Sequence, residues 1–187
     1  QIVYYISAYC DLLRDGRLEL GDPVNVCVPT GNFGNILAAY YARDMGVPIQ
    51  KLICASNSNN VLTDFLATGT YDRNRPFHTT MSPSMDILVS SNLERLLFAL
   101  SGQDDQAVAG YMKQLNETGK YTVSDQIKAR LREDFYGGFC DEATTSRTIA
   151  QVWKEHNYLI DPHTAVAYHV LEEYRQTTGD RRPAVFV

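Results

Sequence analysis

Apolar residues at Ile2, Val3, Ile6, Tyr9, Leu12 and Leu13 recur with helical spacing and predict a helix already under way at the first residues, with no N-cap before it. Val24-Asn25-Val26-Cys27-Val28 is a short, largely β-branched run and predicts a buried strand. Helical spacing returns from Ile36 to Met45 and is closed by Gly46 and Pro48. Leu52-Ile53-Cys54-Ala55 predicts a second short buried strand, and Asn60 to Ala67 a helix running up to Gly69. Strands alternating with helices over residues 22–69 predict parallel α/β architecture, in which ligands bind outside the carboxyl ends of the strands.

The stretch Thr70 to Ser84 is polar and contains Pro76 and Pro83, so it reads as loop. From Ser91 onward the pattern is mostly helical. The sets Leu93-Leu96-Leu97-Leu100, Val108-Met112-Leu115, Ile127-Leu131 and Ile149-Val152-Trp153 predict a helical lobe over residues 86–158, packed on the sheet. Residues 159–187 predict a return helix and strand. Asp161 is a good N-cap with Pro162 at the first helical position, leading into Ala165-Val166-Ala167-Tyr168-His169-Val170-Leu171. Pro183-Ala184-Val185-Phe186-Val187 then stops in what reads as a buried strand. The fold class predicted is α/β, a parallel sheet with flanking helices plus a helical lobe.

With 187 residues, 44% of them apolar and 21% charged, the chain can bury a core in one domain, or in one domain plus a small lobe. The net charge of −5 argues against a nucleic-acid surface, which needs clustered Lys and Arg; Arg181-Arg182 is too short a cluster to count. Cys10, Cys27, Cys54 and Cys140 are widely spaced with no C-x-x-C pair, and Cys27 and Cys54 fall inside apolar strand runs. Free buried thiols are expected, and with them a reducing, cytoplasmic compartment. His78, His156 and His169 have no acidic or cysteine neighbours at ligand spacing, so no metal site is expected, and no apolar run approaches membrane-spanning length.

The chemistry concentrates in Pro29-Thr30-Gly31-Asn32-Phe33-Gly34-Asn35, which joins the first predicted strand to the next helix. Glycines allow close backbone approach to a ligand, and the free N–H groups of a helix start, with the helix dipole, favour an anion such as phosphate. Gly-Asn turns also join strands to helices without binding anything. Neither G-x-x-x-x-G-K-[ST] nor G-x-G-x-x-G is present, so a nucleotide has no specific support.

The segment Val28 to Asn35 resembles the cofactor-phosphate loop of the threonine synthase family, enzymes built on pyridoxal phosphate (PLP). Three further blocks follow in family order: Cys54-Ala55-Ser56-Asn57-Ser58-Asn59-Asn60 to Phe65, Thr80-Met81-Ser82-Pro83-Ser84-Met85-Asp86 to Arg95, and Asp161-Pro162-His163-Thr164-Ala165-Val166. The resemblance implies a PLP fold-type II enzyme with Gly31, Asn32, Phe33, Gly34 and Asn35 around the cofactor phosphate. It also implies that Thr164 hydrogen-bonds the pyridine nitrogen; the alternative is a threonine that only bonds its own helix terminus. Ser56, Asn57, Asn59, Ser82 and Asp86 are substrate-contact candidates, and His163 a surface or supporting group. The implied reaction converts O-phosphohomoserine and water to threonine and phosphate.

The family carries its Schiff-base lysine in a Ser-Phe-Lys-Asp motif upstream of the glycine loop, and nothing of that form occurs in this chain. Lys51, Lys113, Lys120, Lys128 and Lys154 read as solvated or element-end lysines. The chain is therefore expected to be an excised piece of a longer enzyme and inactive alone. Two alternatives stay open: another PLP fold-type II lyase or dehydratase, and a non-enzymatic anion-binding module that retains the fold. Oligomeric state is not legible.

Overall fold

The computed structural model describes residues 1–186, so Val187 and its place in the last predicted strand lie outside the described residues. Helix α1 (Ile2–Arg14) buries Tyr5 and Tyr9, while Val3 is 63% exposed. The phenols suit the interface because their hydroxyls reach polar partners at its rim: Tyr5 donates to Asn35 Oδ1 at 2.7 Å and Tyr9 to the Asp22 carbonyl at 3.2 Å.

Strands β1 (Val24–Pro29) and β2 (Ile49–Ser56) form the centre of a four-stranded parallel sheet in the order β5-β2-β1-β6. β5 (Phe135–Phe139) pairs along β2, and β6 (Ala184–Phe186) along β1. β2 starts three residues before the apolar run that predicts it; Gln50 and Lys51 lie outside the core at its amino end and masked the start. Val26, Val28, Leu52 and Cys54 face one side, under α2 (Gly34–Asp44) and α3 (Val61–Thr68). Cys27, Ile53 and Ala55 face the other, under Val166, Ala167, Val170 and Leu171 of α8 (Pro162–Thr178). Burial on both faces explains why these strands read as unbroken apolar runs. All four cysteines are free; Cys27, Cys54 and Cys140 are buried and Cys10 is exposed.

Two stretches differ from the sequence pattern. Thr70–Ser84 is not all loop: Thr70–Asp72 forms β3, which pairs antiparallel with β4 (Lys120–Thr122), and Pro83–Met85 makes one 3₁₀ turn. Tyr71 and Tyr121 stack across that ribbon with ring centroids 5.4 Å apart. The region after Ser91 holds α4 (Leu93–Leu100), α5 (Asp105–Thr118), α6 (Asp125–Asp134) and α7 (Glu142–His156), but it also holds β4 and the main-sheet strand β5. β5 reads poorly as a strand because Gly137 and Gly138 break its pattern. A Cβ at Gly137 would meet Thr63 Cα at 3.2 Å and one at Gly138 would meet Val170 Cγ1 at 2.7 Å, so α3 and α8 close on the strand from opposite faces.

β6 is half-buried rather than buried. Asp180, just before it, ties the edge down: Oδ2 accepts from Asn25 Nδ2 at 3.0 Å, the Tyr174 hydroxyl at 2.7 Å and the Arg182 guanidinium at 3.1 Å, and Oδ1 from the Arg182 N–H at 3.0 Å. Burial alone would raise the Asp180 pKa, but the bonds from Arg182, Asn25 and Tyr174 outweigh it and hold the carboxyl well below the usual carboxylate range. No helix among the described residues is long and apolar enough to cross a membrane.

Candidate functional site

The Thr30 N–H donates to the Ala55 carbonyl at 2.8 Å, so the loop after β1 leaves the sheet at the carboxyl ends of β1 and β2. Phe33 caps α2 in the left-handed region, φ 62 and ψ 2, although it is not glycine. Its ring pays no exposure penalty: it is buried, with its centroid 5.8 Å from Phe135, which stacks on Tyr40 at 6.1 Å. The glycines serve other needs. A Cβ on Gly31 would sit 2.7 Å from the Ser84 carbonyl oxygen, whereas one on Gly34 would make ordinary contact, 3.4 Å from Asn92 Nδ2.

No hydrogen bond among the described residues takes up the backbone N–H groups of Gly31, Asn32, Phe33, Gly34, Asn35 or Ile36, and no side chain caps α2. An ordinary helix start leaves four orphan donors. Here the orphan run extends back through the loop, at the positive end of the helix dipole, which is the arrangement an anion needs.

The segment 78–92 straps this loop from outside. Ser90 Oγ donates to the Gly31 carbonyl at 2.9 Å, and Asn92 donates to the Asn32 carbonyl from its N–H at 3.1 Å and its Nδ2 at 2.9 Å. Tyr71 steadies the strap, accepting from the Ser90 N–H at 2.8 Å and donating to the Leu88 carbonyl at 3.0 Å; burial pushes its phenol up to about 12. The other end of the strap is pinned at Asp86. Its Oδ1 accepts from Asn57 Nδ2 at 2.8 Å, Asn59 Nδ2 at 3.1 Å and Thr80 Oγ1 at 2.7 Å, and its Oδ2 from the Thr80 N–H at 2.9 Å. Ser82 Oγ lies 3.1 Å from Asn57 Nδ2, and Asn59 brackets the His78 backbone, donating to its carbonyl at 2.8 Å and accepting its N–H at 2.9 Å.

On the opposite face of the sheet, Cys27 Sγ reaches the Ala167 carbonyl at 3.2 Å and Tyr174 reaches Asp180, the partner of Asn25. α8 therefore runs against the strand direction, and its first turn lies toward their carboxyl ends. There Thr164 donates its hydroxyl to Asp161 Oδ2 at 2.6 Å, while the N–H groups of His163 and Thr164 donate to Asp161 Oδ1 at 2.8 and 3.3 Å. Burial opposes ionisation of Asp161, but bonds from Thr164 and His163 prevail and lower its pKa. Thr164 also lines a cavity of about 430 Å³ with Val152, His156, Tyr158, Ile160, Tyr168 and Phe186.

No family model matches the chain. Its similarity to individual proteins is extensive. Threonine synthase-like 1 of Homo sapiens is 46% identical over 179 residues, 95% of this chain and 24% of that protein. Threonine synthase of Pseudomonas aeruginosa is 42% identical over 196 residues, covering 100% of this chain and 40% of that one. The crystal structure of PLP-bound threonine synthase from Brucella melitensis matches with a TM-score of 0.90 at 39% identity, over 99% of this chain and 38% of that chain. The chain belongs to the threonine synthase family. It spans about a quarter of the first relatives' length, and the fold is that of the PLP fold-type II enzymes.

Within this threonine synthase architecture, Gly31 to Phe33 form the loop and Gly34 and Asn35 open α2, while Asn57, Asn59, Ser82 and Asp86 converge on one polar cluster. The hydrogen bonds of that cluster run between protein groups, so its visible work is to hold the strap. Ser56 differs: it is 1% exposed at the end of β2, and its hydroxyl has no partner among the described residues. His163 Nε2 is likewise buried and unpartnered, with Nδ1 3.1 Å from Asp161 Oδ1. Sequence reasoning missed Thr80, Ser90 and Asn92, since short polar residues in a loop carry no periodic signal; the partners of Ser90 and Asn92 are sixty or so residues away, and Thr80 matters through Asp86 and Asn57. Lys51 sits opposite Asn25 at the amino end of β1, with Nζ donating to the Arg132 and Glu133 carbonyls at the end of α6. Lys113 and Lys128 pair with Glu117 and Asp125 on their own helices, at 3.9 and 3.1 Å.

Proposed function

We propose that this chain supplies the phosphate cradle and ring-nitrogen partner for PLP in an enzyme that converts O-phosphohomoserine and water to threonine and phosphate. The observation that carries the reading is the run of unused N–H groups from Gly31 to Ile36 at the start of α2. They fit a phosphate dianion without any cationic side chain. PLP, when bound, supplies an electron sink for removing protons beside the amino-bearing carbon. In this chain the loop amides hold the phosphate, the strap excludes water from one side of the loop, and Thr164 offers a neutral hydroxyl. For that hydroxyl to donate to a ring nitrogen, its proton must leave Asp161. The reaction breaks the γ-carbon–oxygen bond, releases phosphate and adds water at the β carbon; the lysine that would move protons is absent from these residues, so the chain alone is inactive.

The test is phosphate and threonine release from O-phosphohomoserine by the protein of the complete reading frame, with the present chain alone as control. Release by the former and none by the latter is expected. A complete protein that retains PLP but leaves O-phosphohomoserine intact would move the assignment to another PLP-dependent lyase, and one that binds phosphate but neither retains PLP nor turns over substrate would favour the module reading.

A further inference from the structure

We infer that Ser90 and Asn92 are positioning residues that aim the Asn32 and Phe33 amides at the bound phosphate; this rests on the reading of Gly31–Ile36 as an anion cradle. A trans peptide is flat, with its C=O and N–H pointing in opposite directions, and no peptide bond among the described residues is cis. Holding the Gly31 carbonyl therefore sets the direction of the Asn32 N–H, and holding the Asn32 carbonyl sets that of the Phe33 N–H. Ser90 Oγ holds the first carbonyl at 2.9 Å, and Asn92 holds the second with two donors, at 3.1 and 2.9 Å. Both carbonyls are drawn to the strap, so both amides face away from it.

The Asn92 amide has a defined orientation, because Oδ1 accepts from Arg95 Nη1 at 3.2 Å and leaves Nδ2 for Asn32. Ser90 is buried, and its own N–H is spent on Tyr71. Phe33 makes the restraint necessary. Flipping the peptide between Asn32 and Phe33 would carry the Phe33 φ of 62 out of the left-handed region and relieve its strain, while presenting a carbonyl in place of an N–H to the anion. The two donors of Asn92 oppose that flip.

The experiment is a ¹H–¹⁵N titration of the full chain with inorganic phosphate. In the unmodified chain the Asn32 and Phe33 amides shift with phosphate. Ser90→Ala weakens phosphate binding roughly three- to tenfold, the effect of one hydrogen bond, and reduces the Asn32 shift most. Asn92→Ala reduces the Phe33 shift most, and Ser90→Thr, which keeps the hydroxyl, restores both affinity and the Asn32 shift. Amides of α5 and α7 stay in place as the measure of an intact fold. Asn92 is at the rim of the fold, so its variant carries the test if Ser90→Ala does not fold. Unchanged affinity and unchanged Asn32 and Phe33 shifts in the variants would overturn the positioning roles while leaving the cradle standing. No shift at any amide from Gly31 to Ile36 in the unmodified chain would overturn the cradle and the inference with it.

Discussion

At the scale of single residues, the two glycines of the loop separate cleanly. Gly31→Ala places a methyl 2.7 Å from the Ser84 carbonyl oxygen, whose strap is pinned at both ends, so the neighbour has little freedom to yield. A loss of about 1–3 kcal/mol in unfolding free energy is expected from urea denaturation, as for overpacking generally. Gly34→Ala adds a methyl in ordinary contact at the start of α2 and should leave stability within about 0.5 kcal/mol. Equal losses for the two would mean that the strap moves freely over the loop. Thr164 is tested in the same way. Thr164→Val removes the hydroxyl that Asp161 accepts at 2.6 Å and should cost about 1 kcal/mol, whereas Thr164→Ser should cost less than half of that. If the valine variant is as stable as the original, the helix start does not depend on that bond, and the hydroxyl is free for a ligand.

Elements reveal what the sequence could and could not convey. β1, α2, α3 and α8 were legible because each is specified by its own residues: β-branched runs buried on both faces, a glycine stop at Gly69, and Asp161-Pro162 as a helix start. β5 and β3 were not, since their reasons lie elsewhere in the chain. Gly137 and Gly138 weaken β5 locally and are required only because α3 and α8 press on it, and β3 exists through its pairing with β4 some fifty residues on. The loop was legible as a glycine-bearing turn, but the donors that orient it were not. The β5 account predicts a non-additive pair: Gly138→Ala should be destabilising by about 1–3 kcal/mol, and in the Val170→Ala background its cost should fall markedly, because Val170 Cγ1 is the atom a methyl would strike at 2.7 Å. Additive costs in that cycle would remove the close approach of α8 as the cause. The edge strand makes a prediction in pH. Asp180 has a folded-state pKa below its unfolded value of about 3.9, so its contribution is complete above that value and is lost as pH falls below about 4. Urea melts at pH 7 and pH 3 should show a smaller acid loss for Asp180→Asn than for the original chain; an identical loss would show that the Asn25–Tyr174–Arg182 cluster does not depend on the charge.

Across the whole molecule, polar organisation lies at both ends of the sheet and apolar packing between them. Asp180 secures the amino end of β1; the Asp86 cluster, the strap and the orphan amides occupy the carboxyl end. A ring-to-ring path from Phe33 through Phe135 to Tyr40 links the loop to the edge strand and to α2 itself.

Trp153 is the only tryptophan, and it stands 52% exposed on α7. The molecule therefore carries one fluorophore of that kind, placed on its outside. Its emission should already be red-shifted in the native state and change little when the interior melts, so loss of the core is followed better through the near-ultraviolet dichroism of the stacked Tyr71, Tyr121 and Tyr111. A blue shift of Trp153 without change in the tyrosine signal would instead report a molecule settling on the exposed face of α7, read without interference from any second indole.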